Sequence, residues 1–172
     1  MTHIFLVGMP GSGKSTSGKR FAKALGWSFV DLDKLVQIRA GKTITALFNQ
    51  QGEAAFRDIE KQALRETMAS KKLVVACGGG TAAWFDNMSW MQKHGLVVWL
   101  DISTQELKRR ILEGKGNRPM FTGLNEHEAE EKLAWLMQQR RPFFELAHFR
   151  VQSERELIDL APILRDRFEK AE

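Results

Sequence analysis

Two hydrophobic registers alternate along the chain. Short apolar or β-branched runs stand at 4–7, 28–30, 73–76, 96–100 and 149–151. All but the last are near-continuous, as in strands of a parallel sheet covered on both faces. Between them helical spacing appears near 14–25, 34–40, 43–51, 53–70, 86–93, 103–113 and 125–141, with a last segment near 155–168. Such alternation predicts a doubly wound α/β fold around a parallel sheet.

Local signals sharpen some boundaries. Ser103 with Glu106 reads as a capping box, and Asn125 with Glu128 as a weaker version of it. The ten residues from Gly114 to Gly123 hold three glycines and one proline, too many for a stable helix. A mobile loop is expected there, with Arg118 at its centre.

Composition narrows the class. The chain has 172 residues, 43% apolar and 27% charged, which suits one domain with a sizeable core. Its single cysteine excludes an internal disulfide and points to a reducing compartment. No signal segment is apparent, and no apolar run approaches the ~20 residues needed to cross a bilayer. A soluble cytoplasmic protein is therefore expected. The net charge is +5, but basic and acidic residues are interspersed. That excess suits small anionic ligands better than nucleic acid.

The first chemical signal is Gly8-Met-Pro-Gly11-Ser12-Gly13-Lys14-Ser15, which matches G-x-x-x-x-G-K-[ST] between a strand and a helix. Its glycines allow successive N–H groups to point at one anion, and the helix N-terminus adds partial positive charge. Lys14 is expected to reach the β- and γ-phosphates of a nucleotide, and the Ser15 hydroxyl to ligate Mg²⁺. No Asn-Lys-x-Asp base-reading motif of a GTPase is present. A short chain with a mobile, arginine-bearing loop suits a small-molecule kinase, which must close to keep water from the phosphoryl group.

Acceptor-side signals are less self-evident. Asp31 and Asp33 end the second strand, where ligands gather in such sheets. They can hold a metal-bound water or accept a proton, or Asp33 can simply cap the next helix. Glu53, Arg57, Glu60 and Leu64 share a helical face. Arg57 and Glu60 form either a solvated pair or a held guanidinium aimed at a carboxylate. Gly78, Gly79 and Gly80 follow the third strand and bring bare backbone close to a ligand. Cys77 beside them reads as a small buried residue. Arg140 closes the apolar stripe of Ala129, Leu133 and Leu136, either as a partner for the helix dipole near Pro142 or for an anion.

Taken in order, these residues resemble the shikimate kinase family over almost the full length. The family pattern is a P-loop, D-x-D, F-R-x-x-E, G-G-G, a lid R-P, and an arginine two residues before a proline. Here these are Gly8 to Ser15, Asp31 and Asp33, Phe56-Arg57 with Glu60, Gly78 to Gly80, Arg118-Pro119, and Arg140 with Pro142.

The resemblance implies a three-layer α/β/α fold of the NMP-kinase type, with a five-stranded parallel sheet in order 2-3-1-4-5. It implies one domain with an acceptor-binding helical region about 33–60 and a lid about 112–125. The implied reaction moves the γ-phosphoryl of ATP to the 3-hydroxyl of shikimate, in chorismate and aromatic amino acid biosynthesis. Asp33, Lys14 and Arg118 would be catalytic. ATP would meet Gly11, Ser12, Gly13, Lys14, Ser15, Thr16 and Arg118, with Arg110, or else Arg109, near the adenine. Asp33, Arg57, Gly78, Gly79, Gly80 and Arg140 would hold shikimate, and Ser15 and Asp31 the Mg²⁺. A monomer with small-molecule partners, and neither nucleic acid nor membrane, is implied.

Phe144 stands where the family usually has Tyr, and Ala76-Cys77 where many members carry Thr or Ser beside the glycines. Neither change removes a charge the chemistry needs. Two other readings share parts of the pattern. A gluconate or nucleoside-monophosphate kinase would share cradle and lid. A regulatory or nucleic-acid-binding relative that had lost catalysis would be expected to lack Lys14, Asp33 or Arg118, and all three are present.

Overall fold

Five short strands carry the interior. In the computed structural model, which describes residues 3–114 and 119–170, they are β1 (His3–Val7), β2 (Ser28–Asp31), β3 (Leu73–Ala76), β4 (Leu96–Leu100) and β5 (Phe149–Val151). They form one parallel sheet in the order β2-β3-β1-β4-β5. Every residue of β1, β3 and β4 is buried, as the apolar runs require.

The two-residue period of β1 sorts the core. Ile4 and Leu6 face a cluster with Phe21, Leu25, Leu157 and Leu164, from α1 (Lys14–Leu25) and α7 (Glu154–Glu169). Phe5 and Val7 face the other cluster. It draws on α2 (Leu32–Ala40), α3 (Ile44–Glu66), α4 (Asn87–His94), α5 (Thr104–Glu113) and α6 (Glu126–Phe144). Helices thus cover both faces. Gly18 lets α1 lie close, since a Cβ there would meet Leu6 and Phe29 at 2.8 Å.

Several boundaries differ from expectation for identifiable reasons. The segments expected at 43–51 and 53–70 meet in α3, interrupted where Gly52 adopts φ 80° and ψ 175°. Asp31, not Asp33, caps α2, its carboxylate accepting from the Lys34 N–H. Ser103 caps α5, but Glu106 does not reciprocate because Arg109 and Arg110 hold its carboxylate. The full reciprocal box belongs to Asn125 and Glu128. Helix α6 runs on through Pro142 to Phe144, so Arg140 is not at its end.

The strand order decides where ligands gather. Loops leaving β2, β3 and β1 emerge side by side at the C-terminal edge. The segments there carry Asp31 at the end of β2 and Asp33 in the first turn of α2, the three glycines after β3, and the phosphate motif after β1. The β1 loop also presses on β4: a Cβ on Gly8 would lie 2.6 Å from the Leu100 carbonyl oxygen.

Candidate active site

The phosphate motif folds as an open turn onto a helix start. Gly8, Gly11 and Gly13 take φ of 146°, 86° and 92°, which a residue with a Cβ rarely adopts. Helix α1 begins at Lys14, so its unpaired N–H groups face the turn. The Lys14 ammonium lies across the turn, donating to the carbonyls of Gly8 (2.8 Å) and Met9 (2.9 Å) and to Ser12 Oγ (3.2 Å). Burial pushes its pKa down to about 8, against the pull of nearby Asp33. Ser15 Oγ donates to Asp31 Oδ2 at 2.5 Å. Hydroxyl and carboxylate are hard oxygen donors of the kind Mg²⁺ takes while keeping several waters.

Beside the turn opens a cleft of about 480 Å³, lined by Gly11, Gly13, Thr16, Arg110 and Glu154 among others. Arg110 reaches into it, donating to the carbonyls of Gly11 (3.3 Å) and Ser12 (3.2 Å). Arg109 is instead engaged by Glu106 and Glu113 on the outer side of α5. Of the two, the cleft is lined by Arg110.

The three glycines are bare because charged side chains crowd them. A Cβ at Gly78 would stand 2.8 Å from Asp33 Oδ1 and from Glu60 Oε1. At Gly79 it would meet the Pro10 ring at 2.8 Å and Arg140 Nη1 at 3.1 Å. At Gly80 it would meet Arg57 Nη2 at 2.7 Å. Asp33, Arg57, Arg140 and the phosphate loop thus converge on three consecutive residues.

Arg57 and Glu60 are not a solvated pair, being only 6% and 1% exposed. Arg57 Nη1 donates to Glu60 Oε2 at 2.8 Å, while Nε and Nη2 reach Glu53 Oε1 at 3.3 and 3.1 Å. Arg140 has a different character. It is buried, and among the described residues its Nη1 has no hydrogen-bond partner. Burial, then repulsion from Arg57, pull its pKa down to about 10, so it stays charged at neutral pH. A buried guanidinium with an idle nitrogen is costly unless an anion meets it. Asp33 is held up at about 6, by burial first and then by Glu60 and Asp31, with Lys14 and Arg57 opposing.

The chain is similar to known proteins in sequence and in fold. A family model for shikimate kinase matches residues 10–163. The chain belongs to the shikimate kinase family. A shikimate kinase from Parabacteroides distasonis is 36% identical over 159 residues, 92% of each chain. The crystal structure of shikimate kinase from Bacteroides thetaiotaomicron superposes with a TM-score of 0.88, at 33% identity over 98% of both chains. Shikimate kinase from Acinetobacter baumannii, in complex with shikimate, gives a TM-score of 0.83 at 32% identity, covering 100% of this chain and 95% of that one.

Within this shikimate kinase fold, most residues singled out in the sequence gather at two adjoining places. Gly11, Ser12, Gly13, Lys14, Ser15 and Thr16 form the turn and helix start, with Arg110 over them and Asp31 at Ser15. Asp33, Arg57, Gly78, Gly79, Gly80 and Arg140 form the second cluster. Arg118 lies outside the described residues. Cys77 is buried, with its thiol pKa pushed up by burial. Three contributors escaped the sequence reading. Thr81, buried, donates to Glu60 Oε1 at 2.6 Å. The Trp84 ring lies 5.1 Å from the Arg57 guanidinium carbon. Pro10 abuts Gly79. Their one sequence signal is position: Thr81 directly follows the glycines, Trp84 comes three residues later, and Pro10 sits inside the phosphate motif.

Proposed function

We propose that this shikimate kinase moves the γ-phosphoryl of ATP to the 3-hydroxyl of shikimate, giving shikimate 3-phosphate and ADP in chorismate and aromatic amino acid biosynthesis. The observation that carries the acceptor assignment is the convergence of Arg57 and Arg140 on Gly79 and Gly80 beside Asp33, with Arg140 Nη1 unpartnered among the described residues. Two guanidinium groups at one buried spot suit a carboxylate. A carboxyl group beside them, a loop's width from the phosphate turn, suits a hydroxyl on the same small molecule.

The mechanism follows from charge. Arg57 and Arg140 grip the substrate carboxylate while Gly78, Gly79 and Gly80 let the ring approach. Asp33, ionised at neutral pH, orients the 3-hydroxyl and accepts its proton. The hydroxyl oxygen bonds to the γ-phosphorus as the bridge to the β-phosphate breaks and ADP leaves with the electron pair. The transition state is loose, with charge on the outer oxygens. Lys14 turns from its loop carbonyls to those oxygens, and Arg118 meets them from the lid. Ser15 and Asp31 would hold Mg²⁺, which would supply positive charge to offset that of the nucleotide phosphates. Gly11, Ser12, Gly13 and Thr16 present N–H groups to the phosphates, and Arg110 lies against the nucleotide.

The same reading makes residues about 33–60 an acceptor-binding region and about 112–125 a lid within one domain, in a monomeric cytoplasmic enzyme. The test is release of ADP with shikimate, quinate, gluconate and nucleoside monophosphates side by side. Rapid release with shikimate is expected. Turnover of gluconate or a nucleotide with shikimate inert would overturn the assignment.

A further inference from the structure

Helix α3 meets the segment after the glycines through three cation–aromatic contacts in succession. Arg57, Lys61 and Arg65 stand four residues apart on α3. Against them lie the rings of Trp84 at 5.1 Å, Phe85 at 4.8 Å and Trp90 at 4.1 Å. Asp86 adds ion pairs to Lys61 (3.2 Å) and Arg65 (2.8 Å). The lower two contacts therefore fasten the segment to the helix without help from the first.

Trp84 differs from the other two rungs. Its cation is the group assigned to the substrate carboxylate. The residue is 38% exposed, and its ring lies over Arg57 rather than packed away in the core. The next residue, Phe85, takes φ 52°, a left-handed conformation that a bulky side chain avoids. Strain of this kind persists only where surroundings enforce it, and it marks functional turns. Four residues before Phe85, Thr81 donates to Glu60, the partner of Arg57.

We propose that Trp84 is a positioning residue for acceptor capture. Its ring, with Phe56 at 4.9 Å, fixes the guanidinium plane of Arg57 while Glu53 and Glu60 fix its edges. The fork then meets the substrate carboxylate already oriented, so less side-chain freedom is lost on binding. This inference rests on the acceptor assignment above.

Steady-state kinetics of Trp84→Ala, Trp84→Leu, Trp84→Phe and Phe85→Ala test it. Trp84→Ala and Trp84→Leu should raise KM for shikimate about 3- to 10-fold, with kcat, KM for ATP and Tm nearly unchanged. Trp84→Phe should restore most of the loss, because a ring is kept. Phe85→Ala should leave KM for shikimate alone. A wild-type KM in Trp84→Ala, a Trp84→Leu that matches wild type, or equal changes in both KM values would overturn the proposal. The substrate-free protein gives an independent reading: the Arg57 Nε–H proton resonance should move on Trp84→Ala as the ring is lost. A resonance that stays put sinks the positioning role, whereas a wild type inert toward shikimate sinks the acceptor assignment.

Discussion

The two halves of the site are built on opposite plans. The phosphate half is contiguous: one turn and one helix start supply its backbone groups, and Lys14 is satisfied by its own loop. The acceptor half is assembled from α2, α3, α6 and the loop after β3, and it keeps one guanidinium nitrogen idle. A backbone nest needs only local conformation. A pair of buried cations needs the whole fold to hold it in place. The backbone of the first half is therefore set by local conformation, and the second holds unfavourable electrostatics that an anion relieves.

The largest expected effect lies where the halves share a proton. Asp33→Asn removes the proton acceptor and should lower kcat about 10²- to 10⁴-fold. In the parent enzyme, kcat/KM for shikimate should fall as pH drops below about 6, where Asp33 protonates. The stability sign is the reverse. A carboxyl pKa raised by folding favours the fold below its unfolded value, and that gain is lost as pH rises through about 6. At pH 8 the neutral amide of Asp33→Asn should therefore raise Tm. An unchanged acid limb, or a lower Tm in this variant, would break the account.

Lys14→Met comes next and probes the phosphate half alone. Turnover should fall about 10²- to 10³-fold while equilibrium shikimate binding is kept. Loss of shikimate binding would show that the halves are not separable. Arg140→Met does the opposite. Removing one charged contact should raise KM for shikimate about 10- to 100-fold. It should also raise Tm of the substrate-free protein, because a buried guanidinium, desolvated and repelled by Arg57, has gone. A lower Tm would mean that Arg140 stabilises the fold without substrate.

The contrast in plan also explains what the sequence disclosed. All five strands were legible, three of them to the residue; for β1, β3 and β4 the reason is that buried parallel strands are near-continuous apolar runs, whereas β5 is short and only partly buried. The phosphate half was legible because its geometry is local. For Arg57 and Arg140, helical spacing alone left a solvated pair and a dipole partner open. Burial and the run of α6 past Pro142 removed those readings, and neither is a local property. Arg110 was separated from Arg109 only by which side of α5 faces the cleft. Thr81 and Trp84 carried no motif, since their partners, Glu60 and Arg57, lie 21 and 27 positions earlier in the chain.

The smallest effect tests how tightly the acceptor half is closed. Gly80 has φ −108°, open to any residue, so only space opposes a side chain there. An alanine Cβ would stand 2.7 Å from Arg57 Nη2 and 3.2 Å from its Cζ. A free arginine would swing aside at little cost. This one is tied to Glu53 and Glu60 and lies beside two rings, so moving it strains hydrogen bonds on both edges. Gly80→Ala should therefore raise KM for shikimate about 3- to 10-fold, with KM for ATP unchanged. Gly79→Ala would be no substitute, because its Cβ strikes Pro10 of the phosphate loop and would disturb both halves. If Gly80→Ala binds shikimate as the parent does, Arg57 has slack. The carboxylate would then be captured by a mobile arginine rather than a preset one.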